Sequence, residues 1–115
     1  MTEIRISTQA GTGSAYMKLP NKASHYALVG VAAAIRLESS SGICSQARIG
    51  VTGAGPFAKR ARRAERILEG KELTDSVVRR AAQRVGVEYQ GMFNEDIHAS
   101  AGYREEMTKV IGARA

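Results

Sequence analysis

The residues of this sequence that could carry out chemistry are few and lie far apart. Two histidines, His25 and His98, and a single cysteine, Cys44, are the strongest candidates. A metal site needs several ligands at workable spacing, and a cysteine nucleophile needs a neighbouring base and a lowered pKa. Surface or capping histidines and a half-buried strand cysteine are the simpler interpretations. The sequence therefore predicts no metal site and no catalytic residue.

Two short glycine pairs offer weak phosphate-binding candidates. Neither Gly11-Thr12-Gly13 nor Gly53-Ala54-Gly55 completes a GxGxxG or Walker A pattern. The segment from Gly53 to Pro56 leads into a predicted helix, where backbone N–H groups can receive an anion. A tight strand-to-helix turn is the interpretation we favour there.

Basic residues form one face of the first predicted helix: Lys59, Arg62, Arg63 and Arg66. Such a face could follow the phosphates of a nucleic acid. No recognised DNA- or RNA-binding motif accompanies it, and Glu65 and Glu69 lie close enough in sequence to pair with it. A solvated face is the favoured interpretation, and nucleic-acid binding is a distant alternative.

Composition limits the class of protein. The chain has 115 residues, 43% hydrophobic and 24% charged, which predicts a single soluble domain over residues 1–115. Aromatic residues make up 5% and tryptophan is absent, which disfavours modules that stack bases on aromatic platforms. The net charge of +6 is compatible with an anionic partner.

The same composition predicts a cytoplasmic location. One cysteine excludes an internal disulfide and fits a reducing compartment. No apolar run reaches the length of a membrane span, and Met1 to Ser7 lack the apolar stretch of a signal peptide.

The elements that must position these residues begin with a predicted hairpin from Ala23 to Gly55. In its first strand Val29, Val31, Ala33, Ile35 and Leu37 share one face, and smaller residues take the other. In its second strand Ile43, Ala47, Ile49 and Val51 share the bulky face, with Ser45 as the exception and Cys44 on the opposite face. Glu38 to Gly42 supply the connection. A helix over Ala23 to Leu37 is the alternative, since alanine favours helices.

The flanking segments predict further elements. Glu3 to Ile6 alternate and could form a short strand, Gln9 to Ser14 read as a loop, and Ala15 to Leu19 read as a strand that Pro20 ends. Three helices should follow, the first from Pro56 to a stop at Gly70 and the second from a cap at Thr74 to a stop at Gly86. Ser100, or Asn94 if the helix starts early, could cap the third, which has Arg114 near its end. Tyr103, Met107, Val110 and Ile111 should line the buried face of the third helix.

These elements predict the fold class α+β, an antiparallel sheet of three to four strands followed by three α-helices packed on one face. The helices should cover the bulky face of the hairpin. The opposite face, with Gly30, Ala32, Ala34 and Gly50, should lie open to water or to a second body.

Five short motifs in this order resemble a known family. They are Gly13–Lys18 (GSAYMK), Ala23–Ala32 (ASHYALVGVA), Ala47–Ala54 (ARIGVTGA), Ala64–Asp75 (AERILEGKELTD) and His98–Met107 (HASAGYREEM). Together they look like the C-terminal domain of the medium, FAD-binding subunit of molybdenum hydroxylases, the group of aerobic carbon monoxide dehydrogenase and xanthine dehydrogenase. The resemblance covers about Ile4 to Arg114.

The resemblance implies a β-sheet followed by three helices and a place beside FAD. In relatives most of the FAD site belongs to two upstream domains, and the lysine of the Ser-Ala-Tyr/Phe-x-Lys strand lies near the flavin nucleotide. Lys18 occupies that position here, with Tyr16 beside it, and both would contact FAD only in an assembled complex. Asn21 and Lys22 stand where relatives carry a run of basic residues, so that part of the pattern is weakened.

Two functional hypotheses follow. In the first, the chain is an oxidoreductase component that packs on FAD-binding domains, and on iron–sulfur and molybdenum subunits, without turnover alone. In the second, it is a stand-alone interaction module whose small sheet face binds a second copy or another protein. The isolated chain is expected to bind no FAD in either case.

Overall fold

A computed structural model describes residues 1–8 and 10–115, and the predicted loop residue Gln9 lies outside them. Four strands come first: β1 (Thr12–Pro20), β2 (Ala27–Leu37), β3 (Cys44–Thr52) and the two-residue β4 (Lys59–Arg60). The helices α1 (Arg62–Leu68), α2 (Asp75–Ala82) and α3 (Ala101–Arg114) follow, with a short 3₁₀ turn at Val87–Tyr89. The predicted α+β class is confirmed.

The sheet is antiparallel throughout, in the order β1-β2-β3-β4. The predicted hairpin is confirmed, and Gly42 ends its connection with a φ of +70° that glycine adopts without strain. In β3 Gln46 pairs with Arg36 of β2, and Cys44 pairs with the next residue, Leu37. Ser45 between them has no partner on β2 and forms a β-bulge. The extra residue reverses the alternation, so the prediction that Cys44 faces away from the core was wrong: its side chain is buried.

The three helices cover one face of the sheet, as the size alternation predicted. The core holds Val29 and Val31 of β2, Ala47, Ile49 and Val51 of β3, Ala64 and Leu68 of α1, Ala81 of α2 and Ile111 of α3. Leu37, the last residue of β2, stays 47% exposed.

Three local predictions before α1 were wrong. Glu3 to Ile6 form no strand, and Ile6 is 87% exposed, because no neighbouring strand pairs with it in the described part of the chain. Thr12 to Ser14 belong to β1 rather than to a loop. The helix predicted from Pro56 begins only at Arg62, since the chain first returns to pair with β3 as β4. Phe57, which the helix predicted from Pro56 would have included, lies in the loop before β4 and is exposed.

The later helix ends were predicted more closely. Thr74 and Ser100 cap α2 and α3 with their side chains, and Gly70, with a φ of +78°, follows α1. The second helix ends at Ala82, before Gly86.

The buried face of α3 differs from the predicted one. It consists of Arg104, Thr108 and Ile111, whereas Tyr103 and Val110 are exposed. The predicted stripe therefore lay partly on the solvent side of the helix.

Candidate functional site

The side of the sheet that carries no helix is the candidate site. Residues paired across neighbouring strands share a face, so the register assigns its side chains in rows. One row runs Tyr16, Ala32, Gly50, Arg60, and the next runs Lys18, Gly30, Thr52. A third row holds Ser14, Ala34 and Arg48. The result is a shallow trough of about 490 Å³ with a floor of small residues and larger side chains at its sides.

Lys18 and Tyr16, the two predicted site residues, lie together on this open face. Tyr16 is 51% exposed, and its hydroxyl rests against Gly30, where any added Cβ would collide with it. The Lys18 ammonium donates a hydrogen bond to the His25 carbonyl oxygen at 3.0 Å. An ammonium group has three N–H donors, so two remain for an outside acceptor.

The turn between β1 and β2 fixes the carbonyl that holds Lys18. The Asn21 side-chain oxygen accepts hydrogen bonds from the backbone N–H groups of Ala23 at 2.9 Å and Ser24 at 3.2 Å. His25 follows with a φ of +61°, the only described residue other than glycine in the left-handed region. The turn thus directs the His25 carbonyl back toward β1.

Two carboxylates, from Glu65 of α1 and from Glu69 at its C-terminal cap, cover part of the outer edge of β3. Beyond the short pairing with β4, the Ile49 N–H donates to Glu65 Oε1 at 2.8 Å, and the Ala47 N–H donates to Glu69 Oε1 at 3.1 Å. Glutamates four residues apart share one helix face, and strand residues two apart point the same way. This i, i+4 spacing was visible in the sequence, but its role was missed.

The same carboxylates hold two arginines of the open face. Arg60 donates through Nε at 2.8 Å and Nη2 at 2.5 Å to Glu65, and Arg48 Nη1 donates to Glu69 at 3.2 Å. The Glu65 side chain is 5% exposed, whereas that of Arg60 is 40% exposed. Burial alone would raise the pKa of the Glu65 carboxyl, but hydrogen bonds from Arg60 and the Ile49 N–H lower this pKa overall.

Tyr89 holds the segment between β3 and β4. Its hydroxyl lies within hydrogen-bond distance of the carbonyl oxygens of Val51 at 2.9 Å and Phe57 at 2.7 Å. Gly55 lies against the Tyr89 ring, so close that a Cβ there would collide with it. The predicted helix start at Gly53 to Pro56 is therefore a loop packed on an aromatic ring, and it provides no helix N-terminus for an anion.

The basic helix face is smaller than predicted. Lys59 belongs to β4, and its ammonium donates to the Glu88 carbonyl oxygen at 2.8 Å between the rings of Phe57 and Tyr89. Arg62, Arg63 and Arg66 do lie on α1 and are exposed. Cys44 is buried, and burial raises the pKa of its thiol, which makes it a poor nucleophile.

Across residues 1–8 and 10–115, no three His, Cys, Asp or Glu side chains come together as a metal site would require. None of the helices in this part of the chain is long and apolar enough to cross a membrane.

With this geometry established, comparison with known proteins identifies the class. Residues 14–115 match the family described as the CO dehydrogenase flavoprotein C-terminal domain. The chain belongs to this family, whose members are domains of the medium flavoprotein subunit of molybdenum hydroxylases.

Particular relatives agree with this assignment. The chain is 34% identical to the carbon monoxide dehydrogenase medium chain of Hydrogenophaga pseudoflava and 30% identical to the glyceraldehyde dehydrogenase medium chain of Sulfolobus acidocaldarius, over 100% of its own length. It spans 39% and 40% of these relatives. The solved structure of Hydrogenophaga pseudoflava carbon monoxide dehydrogenase lacking the Mo-pyranopterin moiety superposes with a TM-score of 0.79 and 35% identity, over 95% of this chain and 37% of that one.

Proposed function

We propose that this domain closes one side of an FAD site in a molybdenum hydroxylase and contributes to assembly of its flavoprotein subunit, without turnover alone. The proposal rests on one observation: in a chain that belongs to this family, Lys18 and the half-exposed Tyr16 lie side by side on the open face. The FAD-binding domains, and through them the iron–sulfur and molybdenum subunits, are the proposed partners.

The side chains at this corner fit one wall of a flavin nucleotide. Lys18 retains two N–H donors for a phosphate oxygen, and the half-exposed Tyr16 ring offers an apolar surface beside it. When bound, FAD would supply the electron-carrying chemistry. Lys18 would hold the anionic part of the nucleotide, and the Tyr16 ring would exclude water from it.

The rest of an FAD site is not provided by these residues. Neither glycine pair forms a phosphate cradle at a helix start, since Gly13 lies in β1 and Gly53 leads into the loop under Tyr89. A ligand site normally encloses most of its ligand, and an open face encloses one side only. The proposal therefore assigns most of the FAD contacts to partner domains.

The role of Lys18 can be tested by co-expressing the chain with the FAD-binding domains and substituting Lys18→Ala. We expect flavin retention in the purified complex to fall about tenfold, because a charge-assisted hydrogen bond to phosphate is lost. Absorbance of the bound flavin measures the retention. Lys71→Ala, which removes an exposed lysine on the helical side, is the matched control.

Unchanged flavin retention in Lys18→Ala, with Lys71→Ala also unchanged, would refute the proposed contact. For the isolated chain, a fluorescence titration with FAD should detect no binding in the micromolar range. Micromolar or tighter binding would contradict the view that partner domains provide most of the site.

A further inference from the structure

The charge of Lys18 is not compensated by a neighbouring carboxylate. In the part of the chain that the structure describes, no Asp or Glu oxygen lies within ion-pair distance of its ammonium group. Its cross-strand neighbour on β2 is Gly30, which has no side chain to hold the lysine. An exposed lysine has several rotatable bonds, so its ammonium stays in one place only if another group fixes it.

The group that fixes Lys18 is a backbone atom of the turn between β1 and β2. The ammonium donates to the His25 carbonyl oxygen at 3.0 Å. His25 has a φ of +61°, in the left-handed region that residues other than glycine seldom adopt. Its imidazole is exposed and makes no hydrogen bond to any described residue. The position of Lys18 therefore depends on the backbone conformation of His25 and not on its ring.

Hydrogen bonds within the turn hold His25 in this conformation. The His25 N–H donates to the Asn21 carbonyl oxygen at 2.9 Å, and the Asn21 N–H donates to the Tyr26 carbonyl oxygen at 2.7 Å. The N–H groups of Ala23 and Ser24 donate to the Asn21 side chain, and that of Tyr26 donates to the Ser24 hydroxyl at 3.3 Å. A backbone anion site needs several free N–H groups that point the same way, and this turn uses almost all of its own. Any effect of the turn on an anion must therefore pass through Lys18.

We propose that His25 is a positioning residue for Lys18. Its left-handed backbone places the carbonyl oxygen that fixes the ammonium, and two N–H donors of the ammonium remain for an anionic group of the nucleotide. A donor that is already fixed loses less conformational entropy when the ligand binds. The inference rests on the proposed function for the identity of the ligand, and it assigns no contact to the imidazole.

Three substitutions of His25 separate its backbone from its ring. His25→Gly and His25→Asn remove the imidazole, but glycine and asparagine both tolerate the left-handed conformation. His25→Val also removes the imidazole, and a β-branched residue strongly disfavours that conformation. The position is exposed in a turn, so none of the three disturbs the core.

The first measurement is flavin retention by the chain co-expressed with the FAD-binding domains. His25→Gly and His25→Asn should stay within about twofold of the wild type, whereas His25→Val should retain about fivefold less flavin. Gly42→Val is the control, because Gly42 has a φ of +70° in the exposed turn between β2 and β3, away from Lys18. Its flavin retention should match that of the wild type.

The double variant tests whether the effect passes through Lys18. Once Lys18→Ala has removed the ammonium, adding His25→Val should lower flavin retention no further, because two residues that act as one unit are not additive. Losses that add in the double variant would mean that the turn contacts the flavin or the partner by itself, and would overturn the proposal.

A second measurement needs no flavin. In NMR spectra of the isolated ¹³C-labelled chain, the Lys18 Cε signals of the wild type, His25→Gly and His25→Asn should differ from those of Lys71, an exposed lysine. In His25→Val the Lys18 signals should move to the Lys71 positions, because the ammonium is released.

Equal losses of flavin in His25→Gly and His25→Val would assign the role to the imidazole and overturn the proposal. So would full retention in His25→Val while Lys18→Ala loses flavin. If Lys18→Ala itself loses none, the proposed FAD contact fails, and the Lys18 signals of the isolated chain decide separately whether His25 positions this lysine.

Discussion

Gly30 determines where the Tyr16 ring lies. A Cβ at position 30 would collide with the Tyr16 hydroxyl and would lie 3.0 Å from Thr52 Cγ2, whereas a Cβ at Gly50, two strands from β1 in the floor of the trough, meets nothing within 4 Å. Tyr16 is a flexible, half-exposed side chain that can move away. The glycine at position 30 therefore serves the placement of a neighbouring ring.

We predict that Gly30→Ala moves the Tyr16 ring without unfolding the chain. Alanine in a strand is favoured over glycine by about 0.5–1 kcal/mol, so Gly50→Ala should be stabilised by that amount. Gly30→Ala should gain less, because the ring must leave its contact. Denaturant unfolding gives the stabilities, and NMR shifts of the Tyr16 ring report its position. An unmoved ring in Gly30→Ala would contradict this account.

Other single residues show why part of the site escaped sequence reasoning. The alternation of sizes predicted the hairpin, and the family resemblance singled out Lys18 and Tyr16 on the strand before it. The bulge at Ser45 was visible only as an exception to the pattern, and it reverses the side of Cys44. The burial of Arg104 could not be predicted, because arginines are seldom buried and nothing in the neighbouring sequence indicated that three acceptors would surround it.

At the scale of elements, Arg104 joins parts of the chain that are distant in sequence. From α3 it donates to the Leu28 carbonyl oxygen at 2.7 Å, to the Gly53 carbonyl oxygen at 3.2 Å and to the Asp96 carboxylate at 2.7 Å. Its side chain is 4% exposed. The start of β2, the end of β3 and the loop before α3 thus meet at one guanidinium.

Arg104→Ala should lower the free energy of unfolding by about 3 kcal/mol, because buried carbonyl oxygens lose their donors. Arg80→Ala, which removes an exposed arginine from α2, should change it by less than about 0.5 kcal/mol. Chemical denaturation measures both. A cost for Arg104→Ala no larger than that of Arg80→Ala would show that the buried cation contributes little.

The contact between α1 and the edge of β3 should make stability depend on pH. Since the pKa of Glu65 in the folded chain lies below its ordinary value of 4.5, its contribution to stability is present above pH 4.5 and is lost as the pH falls through the lowered value. Glu65→Gln should cost about 2 kcal/mol at neutral pH, because the amide cannot accept both Arg60 donors.

The difference in unfolding free energy between the wild type and Glu65→Gln should therefore shrink as the pH drops below 4.5. Glu72→Gln, at an exposed position in the loop after α1, is the control. A difference that stays constant down to the acid transition would contradict the assignment of this dependence to Glu65.

Element boundaries were less predictable than element types. By local rules Pro56 is a good first residue for a helix. Residues 59–60 nevertheless pair with β3, and α1 begins only after them. That pairing is a long-range interaction and has no local signature. Tyr89 and Gly55 show the same limit, since their contact joins segments more than thirty residues apart.

At the scale of the whole molecule, the two edges of the sheet differ. Along β3 the outer edge is occupied by β4, by Glu65 and Glu69, and by backbone contacts between Cys44 and both Gly70 and Lys71. In the described part of the chain no strand pairs with the outer edge of β1.

Hydrogen exchange should reveal this difference. The Ala47 and Ile49 amides should exchange at rates close to those of the core, because carboxylates of a packed helix hold them. The amides of β1 that point away from β2 should exchange at least about a hundredfold faster. Comparable protection on both edges would mean that β1 is covered in solution.

The sealed edge of β3 has a consequence for how copies of this chain can associate. A sheet with two free edges can add strands without limit and form fibres. In the described part of the chain no strand pairs with the outer edge of β1, whereas the outer edge of β3 is covered, so two copies joined along β1 would present covered β3 edges outward and growth would end at a pair. Glu65 and Glu69, which occupy the backbone N–H groups of Ile49 and Ala47, would therefore stop the addition of a further strand along β3, independently of any cofactor.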